Sequence, residues 1–225
     1  MSITNISGSA HGKAGVSVTA RLKHHFSKQH LRAAEFFAEQ VQTLNANLQT
    51  HNETQQLQHR AYVTGAVLSA VAFLEASINE LYLCALDGDA TALPSFDAHL
   101  FALFTQFWED VEKFPLLHKY QVALTLAGKN RFDPGSPQYQ DTESLVKLRD
   151  CLVHYRPEWD DESGRHQKLE NRLKGKFGLN KYVAESALWF PHQCLSDACA
   201  GWAVATARNF SNEFCKELAI PQRVI

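Results

Sequence analysis

The sequence predicts an all-α protein, a compact up-down bundle of about five to seven helices. Three observations carry this expectation. Apolar residues recur at 3–4 spacing through most of the 225 residues, no run alternates apolar and polar residues long enough for a strand, and no internal repeat of solenoid length is present. With 45% hydrophobic residues, 14 Phe and 4 Trp, a chain of this length can bury a core of its own, which excludes wholesale disorder.

Residues 1–25, rich in Ser, Gly, Thr and Asn, read as a flexible basic tail, and residues 26–220 as a single domain. A first helix is expected over Ser27–Leu48, with Leu31, Ala34, Phe37, Val41, Leu44 and Leu48 on one face. The strongest periodicity lies in Leu57–Leu86. There Val67, Val71, Leu74, Ile78, Leu81 and Ala85 form one stripe, and Gly65, Ser69, Ala72 and Ala76 form a small-residue face opposite it. Such a helix packs on two sides, so it is expected to be central. Gly88 and Pro94 interrupt the helical pattern after Leu86. Helices are then expected over Phe96–Glu112 and Leu116–Ala127. After the loop GKNRFDPGSP comes a helix over Gln138–Tyr155, which must stop near Pro157 because the residue before proline is pushed out of the helical region. The charged connecting segment, residues 160–181, admits a short helix, and a long helix over Pro191–Leu218 closes the bundle.

Composition removes several functional classes. No apolar run approaches the roughly 18 residues of a membrane span, and the N-terminus lacks the apolar core of a secretory signal. Five cysteines with no CxxC pair read as reduced thiols of a cytoplasmic protein. A P-loop, HExxH and paired Glu-x-x-His segments are all absent, so no metal and no cofactor is expected, and the eleven histidines read as scattered surface residues. The net charge of −2 argues against a simple basic nucleic-acid binder, but its distribution is uneven. Residues 1–34 carry five bases and no acid, residues 35–163 carry 8 bases against 19 acids, and residues 164–225 carry 9 bases against 5 acids.

One segment carries candidate chemistry: LVKLRDCLVHYRPEW, residues 145–159. Leu145, Leu148 and Leu152 form the buried stripe of its helix and Arg149 lies at the edge of that stripe. Asp150 and His154 are four apart, so on a helix they share a face and can touch. A permanent cation, a carboxylate and an imidazole within two turns suit phosphodiester cleavage of RNA. Histidine shuttles protons near neutrality, arginine bridges phosphate oxygens, and Asp150 would fix the imidazole tautomer. A single His cannot serve as both acid and base, whereas a two-fold dimer brings two His and two Arg to one cleft. On spacing alone the alternative remains an ordinary amphipathic helix ending in His and Pro.

RDCLVHYRPEW resembles the R-x4-6-H motif of HEPN-domain proteins, in which a polar residue follows the Arg; Asp150 occupies that slot. SAVAFLEASINELY, residues 69–82, is similar to the central helix of the same families, and the resemblance covers roughly residues 57–155. It implies an all-α bundle, a homodimer with the two motifs facing each other, and metal-independent endoribonuclease activity leaving a 2′,3′-cyclic phosphate. Family members act in toxin–antitoxin, antiviral-defence and RNA-processing systems, which adds a protein antitoxin or regulator to the expected partners. Carried over by position, Arg149 and His154 are the catalytic pair and Asp150 the supporting residue. Some members have Tyr two residues after the His as a modification target. Here Tyr155 follows directly and the second position is Arg156, so that regulation does not transfer. The alternative from another class is an inactive helical module that binds nucleotide, RNA or a protein.

Other residues carry paired readings. Glu75 and Asn79 line the active cleft or bridge helices, and Tyr155 lines the cleft beside the motif. Arg165, Lys168, Arg172, Lys174 and Lys176, with Lys181 beyond them, hold the RNA backbone or form a solvated face. Trp159, Trp189 and Phe190 stack bases or pack in the core.

Overall fold

A computed structural model describes residues 24–46, 52–157 and 166–222, so most of the expected N-terminal tail lies outside it. Among the described residues, seven α-helices follow one another: α1 Ser27–Ala46, α2 Glu53–Leu86, α3 Ala98–Val111, α4 Leu116–Leu126, α5 Pro137–Val153, α6 Gln167–Leu173 and α7 Asp197–Leu218. A short π-helical turn, Trp189–Gln193, precedes α7, one element more than expected. No strand occurs among the described residues.

The expected central helix is central. Val67, Val71, Leu74, Ile78, Leu81 and Ala85 of α2 are all buried. A fully buried Val, Leu or Ile side chain contributes about 1.5–3 kcal/mol over leaving it exposed. Both α1 and α7 run along α2; α5 packs on α2 and α7, and α3 and α4 also pack on α2. The small-residue face has a specific occupant: the Phe37 ring of α1 sits so close to Gly65 that an added Cβ would lie 2.8 Å from it. Glycine is therefore needed there for close approach of the two helices. α2 is long and apolar enough to cross a membrane by composition, and half of its most apolar window is buried within the bundle.

Local chemistry explains the boundaries. α2 begins a turn earlier than the apolar pattern does, because Asn52 and Gln55 form a reciprocal capping box with both bonds at 3.0 Å. Its C-terminus turns at Gly88, whose φ of +66° favours glycine. α1 is capped from a distance. The Glu80 carboxylate accepts the Phe26 and Ser27 N–H groups at 2.6 and 2.8 Å and the Ser27 hydroxyl at 2.6 Å, which satisfies donors that every helix start leaves open. The expected helix over Pro191–Leu218 is divided: the π-turn ends at Gln193 and α7 starts afresh at Ser196, whose hydroxyl accepts the Cys199 N–H at 3.0 Å.

Candidate functional site

α5 is placed by its two ends and by its buried stripe. Ser136 caps its start with Pro137 in the first turn, and Leu145 and Leu148 are fully buried. Its last turn closes at His154, whose N–H donates to the Asp150 carbonyl at 2.8 Å while its own φ of −107° and ψ of 41° leave the helix. Arg149 and Asp150 are half-buried, and Val153, His154 and Tyr155 are exposed. The three motif side chains thus emerge at one solvent-facing helix end.

Their pairing differs from the helical arithmetic. Asp150 Oδ1 lies 3.0 Å from Arg149 Nε. The imidazole of His154 makes no hydrogen bond or ion pair among the described residues. The i,i+4 contact requires both residues to be helical, and His154 has already left the helix. The Arg149–Asp150 contact is close but poorly aligned: Arg149 Nε is shielded from solvent and has no hydrogen-bond acceptor among the described residues. The guanidinium is consequently neutralised without being fully satisfied.

Tyr155 extends this surface. Its ring is parallel to that of His166 within 6°, with centroids 6.0 Å apart, and the buried Phe190 packs 4.7 Å from His166 and 5.9 Å from Tyr155. The chain leaving the motif is therefore held by residues from the α6 entry and the π-turn. Phe190 takes the packing role. Cys151, half-buried beside the motif, has its thiol pushed up by burial first and by the Asp150 carboxylate second, with Lys147 acting in the opposite direction.

The remaining expected site residues are dispersed. Glu75 and Asn79 hold the buried ammonium of Lys119 on α4, at 2.6 and 3.0 Å, so they bridge helices. Their shared partner is Lys119, and among the described residues neither bonds a motif residue. Gln138 at the start of α5 bonds Asn209 O on α7, Phe210 packs on Tyr120, and the Tyr120 hydroxyl bonds Leu74 O. Arg149 lies eleven residues beyond Gln138, roughly 17 Å along the axis at about 1.5 Å per residue. Lys168 and Lys174 are exposed. Arg172, however, pairs with Glu143 at 2.6 Å and Lys176 with Asp141, which ties the connecting segment to the first half of α5. Lys181 lies over the Tyr182 ring at 5.2 Å. Arg165 and Trp159 lie outside the described residues. No three His, Cys, Asp or Glu side chains come together in a ligand-like group among the described residues.

Compared with family models, characterised proteins and solved structures, the chain matches none.

Proposed function

We propose that the protein is a metal-independent endoribonuclease of the HEPN type, acting as a homodimer in which two copies of the α5 motif share one cleft. The observation that carries this reading is the placement of Arg149 and His154 together at the exposed end of α5, with an imidazole that no described neighbour engages. In the reaction, one His154 takes the proton of a 2′-hydroxyl as its oxygen attacks the adjacent phosphorus. The other His154 gives a proton to the departing 5′-oxygen, and the products are a 2′,3′-cyclic phosphate and a 5′-hydroxyl. Arg149 meets the charge that builds on the non-bridging oxygens. Asp150 acts on Arg149, as a counterion that an arriving phosphate displaces.

Toxin, antiviral-defence and RNA-processing roles all fit such an enzyme, as does control by a protein antitoxin in the cytoplasm. The Arg149–Asp150 pair supports a second reading, a silent module whose cation is already neutralised. Incubating purified protein with mixed RNA, with and without chelator, tests the enzyme reading. Equal cleavage in both arms is expected, and no cleavage in either arm supports the silent module. Light scattering tests the assembly: a mass near twice 25.3 kDa is expected, and a persistent monomer at micromolar concentration removes the composite cleft.

A further inference from the structure

We infer that the seam between α1 and α7 is a phosphate-binding exosite that grips single-stranded RNA away from the cleavage motif. This inference rests on the ribonuclease reading and names where that enzyme holds its substrate. The seam opens into a groove of about 330 Å³ with Lys28, Arg32 and Glu35 on one wall, Arg208 and Asn212 on the other, and Phe73 among its lining residues.

Its charge is the informative feature. Lys28 and Arg32 are four apart, so they face the same side of α1 about one turn from each other. Like charges at that spacing destabilise a helix unless something offsets them. Neither residue has an ion pair among the described residues, and both are exposed. Arg208 adds a third cation from α7, and the one acid of the groove, Glu35, is paired with it. The groove is thus lined by three cations and a single carboxylate.

In the connecting segment Arg172 and Lys176 are held by Glu143 and Asp141 of α5, so phosphate contacts at those two must first break an ion pair, while Lys168 and Lys174 are exposed. In the α1–α7 groove, two of three cations need break nothing. The groove lies on the α1 side of α7 at the level of Asn209, which bonds Gln138 at the start of α5, whereas the motif is at the end of α5. An RNA strand held at the groove would have to span roughly 17 Å along the axis, at about 1.5 Å of helix rise per residue, and also pass around α7 to reach the motif.

The test is fluorescence anisotropy of a labelled single-stranded RNA across a salt series, made in the His154→Ala background so that cleavage cannot interfere. Each phosphate contact on a single strand contributes about 0.7 to the slope of log K against log salt. Lys28→Gln with Arg32→Gln should lower that slope by about 1.4 and weaken binding at low salt. Glu35→Gln should do the opposite, raising the slope by about 0.7 because Arg208 is released. Lys168→Gln with Lys174→Gln should leave the slope unchanged. An unchanged slope in the α1 double variant, or a weaker affinity for Glu35→Gln, overturns the inference, as does His154→Ala protein, otherwise unaltered, that binds no RNA. Equal displacement of the RNA by poly-glutamate would make the groove a surface for acidic protein, and overturns it too. Because binding is read in protein that cannot cleave, failure here is distinguishable from failure of the catalytic reading.

Discussion

The carboxylate of Asp150 lies 3.0 Å from Nε of Arg149, its neighbour in sequence, and not on His154 one turn away. Successive residues on a helix point about 100° apart, so this contact is made by the long arginine side chain bending back. It holds the guanidinium at the helix end and withholds part of its charge until a stronger anion arrives. Asp150→Asn should therefore release Arg149 toward phosphate. We predict a lower KM for RNA with kcat unchanged or raised, since a released Arg149 meets the phosphate in the bound state and the charge that builds in the transition state. A loss of kcat comparable to that of a His154 variant would show that Asp150 serves the imidazole instead.

The Glu75–Lys119–Asn79 bridge should matter for stability and not for cleavage. Lys119 is only 3% exposed, and replacing the carboxylate by an amide leaves a buried ammonium with neutral partners only. Breaking a buried pair from one side typically costs about 3–5 kcal/mol, and the partly exposed Glu75 moves this one toward or below the lower figure. Glu75→Gln should lower the midpoint of urea unfolding while leaving kcat at wild-type level below the transition. A kcat that falls with no loss of stability would put Glu75 in the cleft after all.

How far the sequence is legible depends on the kind of signal each residue gives. The α2 stripe is fully readable, because a period of 3.6 with small residues opposite has one geometric meaning. The cover of the small face is not, since nothing local in the sequence pairs Gly65 with Phe37. The start of α2 is readable in principle: Asn52 and Gln55 are a capping box written in the sequence, in a stretch that reads first as merely polar. Ser27 and Glu80 are 53 residues apart, and only the fold brings a distant carboxylate to cap α1. At the motif, spacing locates Arg149, Asp150 and His154 at one helix end but misassigns the Asp150 contact. Helical spacing says nothing once the chain has left the helix, and here it leaves at His154. The connecting segment reads as six available bases because composition does not register that Glu143 and Asp141 lie opposite Arg172 and Lys176.

The Gly65 contact predicts a steric result. Gly65→Leu should destabilise the fold by roughly 1–3 kcal/mol through overpacking. Combining it with Phe37→Ala should recover part of that loss, because the two side chains compete for one space. Thermal melts of the four proteins in this cycle supply the coupling. Strict additivity would mean that the helices separate rather than clash. Association should be unaffected in all four, since the group that meets Gly65 is Phe37 of the same chain.

The cysteines predict a pH dependence. Burial pushes the thiols of Cys194 and Cys199 well up, and that of Cys215 to about 11 from the usual 9.0, with Ser211 partly opposing it. For a thiol, a raised native value means that the folded state holds the proton longer than the unfolded chain does. The stability from this source is complete below pH 9 and drains as pH rises toward 11. Unfolding midpoints should fall across that interval, and a thiol reagent applied at a pH of about 8 should label Cys194, Cys199 and Cys215 only on unfolding. Rapid labelling of the native protein at these three positions would refute their burial.

The central claim is that His154 moves protons, and the direct measurement is the RNA-cleavage rate of His154→Ala beside its thermal midpoint. His154 is exposed and outside the buried Leu145 and Leu148 stripe, so the midpoint should match wild type. The rate should fall by about 10²–10⁴, the usual worth of a positioned proton-transfer group. Wild-type products should end in a 2′,3′-cyclic phosphate by mass spectrometry. A His154→Ala protein of unchanged stability that cleaves as fast as wild type would contradict the account and reduce the motif to a helix end.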